Sequence, residues 1–234
     1  MAKGFVGLLL VVLITCCVLS SLSNAKRRSK PDQCPRLRHR TNCTEDDDME
    51  ITECCLEKYK LGFDNLPSSY NISVQDPPSC ALDAALAKCL EDSKCFRKPL
   101  TRNLRLLMFN QLIFTKRTGL CSRTKFEDLL REAKKRSGAN FLKRLMAIEE
   151  MNGFDLEDCA KIVYGKCGRQ FSRKLKNNPG YDVMKLCKVF QEEGTCTSIE
   201  ADKYDCKNSR LLNRFKENSI EAASAVLNGI CTQP

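Results

Sequence analysis

The 234-residue chain has no tryptophan and one histidine, His39. A serine or cysteine hydrolase needs a histidine base or an equivalent, and a lone imidazole in an arm that also carries Arg36, Arg38 and Arg40 supplies none. No motif elsewhere fills the roles of an active site, so an enzyme is not expected. Aromatic residues make up only 7% of the chain, too few for the stacking platforms of single-strand binders, and nucleic acid is not an expected partner. Beyond residue 25, β-branched runs are missing and strand-like alternation is scarce, which disfavours sheet. No C-x2-C pair offers the close spacing of a zinc site. No glycine stands near the acidic run Glu45-Asp46-Asp47-Asp48 to turn a calcium loop. No metal or other cofactor is expected.

Long apolar runs are absent too, except at the start. Lys3 precedes the run Phe5 to Leu19, and small polar residues follow up to Ser23-Asn24-Ala25. This is the three-part layout of a secretory signal, with small residues at −3 and −1 of a cut after Ala25. The run is shorter than the roughly 20 residues that span a bilayer, so residues 1–25 are expected to be removed and the mature chain to carry no transmembrane segment. The terminus AVLNGICTQP carries no retention tetrapeptide or anchor signal. Secretion into the extracellular space follows as the expectation.

What the chain does have is cysteine, 16 in all, of which Cys16 and Cys17 lie in the signal. The even remainder suits seven bridges in an oxidising compartment. Their order suggests a duplication: Cys43-x11-Cys55-x24-Cys80-x8-Cys89-x5-Cys95-x25-Cys121, then Cys159-x7-Cys167-x19-Cys187-x8-Cys196-x9-Cys206-x24-Cys231. Tyr59 and Phe171 each follow the second cysteine of their copy by four positions, and Asn103-Leu104-Arg105-Leu106-Leu107 answers Asn208-Ser209-Arg210-Leu211-Leu212. Cys34 and Cys54 have no counterpart in the second copy and suit an extra bridge in the first. On one helix, Cys80 and Cys89 would stand about 13.5 Å apart along the axis and on opposite faces. Bridged Cα atoms lie about 4.4–6.8 Å apart, so each must reach a different segment. Which cysteines pair is left open by the sequence.

Helical signals run through nearly the whole chain. Thr44 can cap a helix whose first turn is Glu45 to Asp48, where acids suit the positive helix end. Ser79, after Pro77-Pro78, is a second N-cap candidate. Thr101 is the expected start of an apolar helix over Asn103 to Phe114, whose Leu104, Leu107, Met108, Phe109 and Leu112 read as core. Lys125 to Arg136 and Ala139 to Met151 read as connecting helices broken at Gly138. Further helices are expected over Asp155 to Leu175, Tyr181 to Glu193 and Asn208 to Ile230, with Gly194 ending the second of these before Cys196. The expected fold is all-α: two small disulfide-stapled helical units in tandem, residues 34–121 and 159–234, joined by connecting helices over 122–158 and preceded by a basic, flexible arm over 26–40. Units this small are marginal without cross-links.

Charge is unevenly spread. Residues 26–40 sum to +6, residues 41–96 to −8 and residues 97–136 to +9. Outside a cell, such basic clusters suit an acidic protein or anionic polysaccharide. The candidate anion-binding residues are Lys26, Arg27, Arg28, Arg36, Arg38 and Arg40 in the arm, and Lys134, Lys135 and Arg136; both groups also read as sites of proteolytic processing. Asn71-Ile72-Ser73 and Asn42-Cys43-Thr44 are glycosylation sequons, placing candidate glycans on Asn71 and Asn42.

The pair Cys54-Cys55 is similar to the paired cysteines of secreted phospholipases A2, but the His-Asp pair and glycine-rich calcium loop of that family are missing. The plant lipid-transfer C-x-C and the saposin C-x2-C are missing as well. In cysteine layout alone the chain resembles the tandem helical cysteine modules of secreted invertebrate proteins. The function expected is that of a secreted binding or structural protein acting through its surface, with a carrier of an apolar ligand or a secreted effector as the alternative. The oligomeric state is not legible.

Overall fold

The computed structural model describes residues 34, 43–67, 78–149, 158–206 and 212–213. Among them seven helices are delimited and no strand occurs. They are α1 (Glu45–Asp64), α2 (Pro78–Glu91), α3 (Pro99–Arg117), α4 (Glu127–Arg136), α5 (Ala139–Glu149), α6 (Asp158–Asn177) and α7 (Val183–Lys203). None is long and apolar enough to cross a membrane. The signal, the arm over 26–33 and 35–40, both sequon asparagines and most of the expected last helix lie outside the described residues.

Local chemistry sets the helix starts. Thr44 caps α1 as expected, accepting from the Asp47 amide at 3.1 Å while the Asp47 carboxylate accepts from the Thr44 amide at 2.9 Å. This reciprocal pair satisfies two helix-end donors. Ser79 is not an N-cap. The helix begins one residue earlier at Pro78, whose fixed φ suits a first helical position that needs no amide partner. Thr101 does not start α3 either. Pro99 opens that helix, Lys98 makes no side-chain cap, and the cap comes from α1 instead. Buried Asp48 accepts from the Leu100 amide at 2.9 Å, the Thr101 amide at 3.0 Å and the Thr101 hydroxyl at 2.6 Å. A carboxylate at a helix N-terminus is favoured by both dipole and hydrogen bonds.

Gly194 does not end α7, which continues to Lys203. Asp182 caps its start through the amides of Met184 and Lys185. Buried Leu186, Cys187 and Val189 precede the glycine, buried Thr197 and Glu200 follow it, and Cys196 is bridged to α6. Anchoring on both sides outweighs the cost of about 1 kcal/mol for a helical glycine.

Helix α3 forms the axis of the packing. Every residue from Leu104 to Thr115 is buried, so this helix is enclosed on all sides. Helices α1, α2 and α5 pack against it, α2 also meets α4, and α6 meets both α1 and α7. The described residues belong to one compact unit. Phe114 on α3 meets Tyr164 on α6 at 5.0 Å between ring centroids, so helices from both cysteine-rich segments share one core. Lys176 at the end of α6 donates to the carbonyls of Leu66 and Pro67 beyond α1, and the Gly180 amide donates to Asp64. Gly180 itself has φ +80, a conformation glycine adopts without strain. At Gly62 a Cβ would overlap the end of the Leu82 side chain, which packs over the bare glycine and would have to move aside.

The polar residues of α3 need partners on its neighbours. Arg105, 1% exposed, donates through Nε to Glu91 at 2.8 Å, through one terminal nitrogen to the Phe96 carbonyl at 2.7 Å and through the other to Ser137 at 3.0 Å. Arg136 joins the same carboxylate at 3.1 Å and lies over the Phe96 ring at 4.1 Å. Asn110 is fully buried, and its side-chain amide has no hydrogen-bond partner among the described residues.

Six disulfides join described residues: Cys34–Cys54, Cys43–Cys95, Cys55–Cys89, Cys80–Cys121, Cys159–Cys206 and Cys167–Cys196. Cys80 and Cys89 reach different segments, as the helix geometry requires. In the first cysteine series the bridges join first to fifth, second to fourth and third to sixth. The second series repeats the first two of these, and its third cysteine, Cys187, is also disulfide-bonded. Each bridge contributes about 2–4 kcal/mol by restricting the unfolded chain.

Gly194 is exposed, with nothing within 4 Å of an added Cβ. Gly194→Ala should therefore raise stability by about 0.5–1 kcal/mol, read as a higher urea midpoint with an unchanged slope.

Candidate functional site: a polar cavity among five helices

The chemically distinctive place in the molecule is a cavity of about 260 Å³ bounded by α1, α2, α3, α6, α7 and the turn after α3. Helical periodicity brings its lining together. On α1, Tyr59 and Phe63 are one turn apart and pack edge to face at 5.1 Å. On α6, Lys161, Tyr164, Gly165, Gly168, Phe171 and Ser172 recur at three- and four-residue steps, so one face of the helix fronts the cavity. Two positions on that face are glycines with no steric need to be so. A Cβ at Gly168 would stand 3.7 Å from Tyr164, and one at Gly165 would stand 3.3 Å from the flexible end of Arg169. Each glycine costs helix stability of about 1 kcal/mol against alanine, and their bareness leaves the space open. The Cys80–Cys121 bridge forms part of the wall and pins the turn after α3 to α2.

Two acids face this space. Asp83 on α2, 4% exposed, accepts from the Tyr59 hydroxyl at 2.7 Å through one oxygen and from the Gln111 amide at 3.1 Å through the other. Burial pushes its carboxyl up to about 6, with the two hydrogen bonds pulling the other way. Glu193 on α7 is pushed up to about 8, first by burial and then by the charge of Asp83. Its hydrogen bond to Thr197 uses only the backbone carbonyl. Burial also raises the phenols of Tyr59 and Tyr164 well above 10, with added repulsion from Asp83 and Glu193. Both acids are therefore harder to ionise than in water, and both tyrosines are neutral at neutral pH. Lys161 and Arg169 line the cavity as well, without forming an ion pair to either acid.

Of the residues singled out from sequence, Cys80 and Cys121 line the cavity, and the described basic ones, Lys134, Lys135 and Arg136, do not. Lys135 is exposed and pairs with Glu132 at 3.2 Å. Lys134 has partners of its own, and Arg136 is turned toward Glu91 and Phe96. The candidates Lys26, Arg27, Arg28, Arg36, Arg38, Arg40, Asn42 and Asn71 lie outside the described residues. The sulfurs of Cys34, Cys55 and Cys89 gather within 4.8 Å of one another, but they belong to two neighbouring disulfides, which leaves no thiolate there to hold a metal.

Asp83 and Glu193 were missed by sequence reading, although a signal existed. Asp83 shares a helical stripe with Leu86, Ala87 and Leu90, all buried. Glu193 continues the stripe of Leu186, Val189 and Phe190. An acid on an otherwise apolar face marks either a satisfied buried group or a site.

Compared with protein-family models, curated proteins and solved structures, the chain matches none.

The raised acids fix the sign of a pH dependence. The folded protein holds these protons more tightly than the unfolded chain, so stability falls as pH rises, from the ordinary 3.8 to about 6 for Asp83 and from 4.5 to about 8 for Glu193. Glu193→Gln removes the second part. Melting curves should show the variant more stable than the parent at pH 8 by on the order of 1–3 kcal/mol, with the gap closing by pH 5.

Proposed function

We propose that the mature chain is a secreted, non-catalytic binding protein whose bridged helices hold a small ligand in the cavity between the two cysteine-rich segments. The observation that carries this reading is a polar, aromatic-lined space of ligand size, kept open by two helical glycines that have room for a side-chain carbon. Concave sites with a few convergent polar groups and shifted acids are the usual form of small-molecule sites. The cavity favours a ligand held between the helices over purely surface-borne binding, although its charged lining differs from the apolar site expected of the carrier alternative. Acid–base catalysis is a poorer fit, since both Asp83 oxygens are held by Tyr59 and Gln111. The six bridges among the described residues belong with export to an oxidising compartment.

The test is native mass spectrometry of protein secreted from eukaryotic cells, comparing the parent with Gly168→Leu. Bound small molecule on the parent and its loss from the variant, with melting unchanged, is the expected outcome. Empty protein in both, together with no thermal shift from any compound of a metabolite panel, would contradict the reading.

We also propose that the two segments are copies of one helical unit, because two bridges of the second repeat the pairing order of the first. In that order the partner of Cys187 is Cys231. Peptide mapping of non-reduced protein should recover that pair; Cys231 found free, or joined to any other cysteine, would sink the duplication.

A further inference from the structure

We infer that the two bridges meeting at Cys54-Cys55 form a thiol-exchange site: a small thiol such as glutathione opens Cys34–Cys54, and the freed Cys34 sulfur then displaces Cys55 from Cys89. The site is independent of the cavity. Consecutive residues of α1 each carry one bridge, Cys54 to Cys34 ahead of the helix and Cys55 to Cys89 near the end of α2. Although the bridges are separate, Cys34 Sγ stands 3.8 Å from Cys89 Sγ, and the sulfurs of Cys34, Cys55 and Cys89 all lie within 4.8 Å of one another. A sulfur–sulfur bond is about 2.05 Å long, so a Cys34 thiolate released there has a short path to Cys89. Cys34 and Cys54 are both half-buried, which leaves their bridge within reach of a small thiol.

The molecule carries its own control. Cys167–Cys196 joins the second and fourth cysteines of its series, as Cys55–Cys89 does in the first. The two bridges are equally enclosed: Cys55 and Cys167 are buried, Cys89 and Cys196 half-buried. Cys34 and Cys54 have no counterpart in the second series, and among the described residues no third sulfur gathers at Cys167–Cys196. Exchange is thus open to one bridge of this matched pair and closed to the other.

A glutathione thiolate attacks Cys54 Sγ, and the Cys34–Cys54 bond breaks with its electron pair leaving on Cys34. The Cys34 thiolate attacks Cys89 Sγ, forming Cys34–Cys89 and expelling the Cys55 thiolate, which takes a proton from solvent. A second glutathione thiolate attacks the glutathione sulfur held on Cys54, giving oxidised glutathione and a Cys54 thiolate that is protonated in turn. Two thiols become one disulfide, and the protein gains two electrons and two protons. Closure of Cys54 onto Cys55 is opposed within a helix, because adjacent Cα atoms lie about 3.8 Å apart, short of the roughly 4.4–6.8 Å of bridged ones. Exchange moves the Cys34 anchor from α1 to α2 and removes the Cys55 link between those helices, while Cys43–Cys95 still ties the start of α1 to the turn after α2.

The test exposes oxidised protein secreted from eukaryotic cells to rising glutathione until Cys55–Cys89 opens, quenches with acid, alkylates the thiols and maps peptides without reduction. A Cys34–Cys89 peptide pair should appear, freed from the peptide that carries Cys54 and Cys55. Cys55–Cys89 should open at least about tenfold faster than Cys167–Cys196, since a sulfur held in place attacks at a high effective concentration. Cys34→Ser with Cys54→Ser should bring the two rates together. Opening of Cys55–Cys89 with no Cys34–Cys89 pair, equal opening rates in the parent, or a rate difference that survives in the double variant would each overturn the proposal. If the double variant does not fold, the peptide pair and the two rates in the parent decide it.

Discussion

A polar side chain enclosed by helices has no water to fall back on, so each must find a protein partner or remain a standing cost. This constraint governs the molecule because α3, its central helix, is buried from Leu104 to Thr115. Arg105 fixes the end of α2 and the α4–α5 junction through Glu91 and Ser137. Thr101 and the first turn of α3 are held by Asp48 of α1. Gln111 reaches Asp83, which in turn holds Tyr59. The polar contacts that order the core are thus continuous with those that furnish the cavity.

Disulfides act on top of this arrangement. Cys55–Cys89 ties α1 to α2, Cys80–Cys121 ties α2 to the turn after α3, and Cys167–Cys196 ties α6 to α7. Four of the five helices around the cavity are therefore cross-linked to a neighbour, and the turn after α3 is fixed to α2. Such a framework suits a preformed pocket, where ordering costs fall on folding rather than on binding. Helices of both cysteine-rich segments also share one apolar core, with Phe63, Phe109 and Phe114 fully buried. Sulfur cross-links and apolar burial therefore work together.

Periodicity and cysteine spacing carried the helices and the rule that Cys80 and Cys89 cannot pair with each other, because both depend on distances along one helix. The errors share a physical cause. Thr101 and Ser79 looked like caps because capping was judged from local residues, whereas α3 is capped by Asp48 from 52 residues away and α2 starts on its proline. Gly194 looked like a terminus because propensity was weighed without the packing that carries α7 past it. The cavity was invisible for the same reason: the shifts of Asp83 and Glu193 arise from what encloses them, drawn from five helices. Only the placement of each acid on an apolar stripe could have hinted at it. The basic clusters drew attention because net charge is legible in sequence, yet Arg136 spends its charge on Glu91.

The claim on which the account turns is that Asp83, buried, and Glu193, partly buried, face one space between the helices and are both harder to ionise there than in water. Site-resolved carbon-13 titration of the side-chain carboxyls measures this directly. The account predicts midpoints of about 6 for Asp83 and about 8 for Glu193; both groups titrating in the usual range near 4 would contradict it.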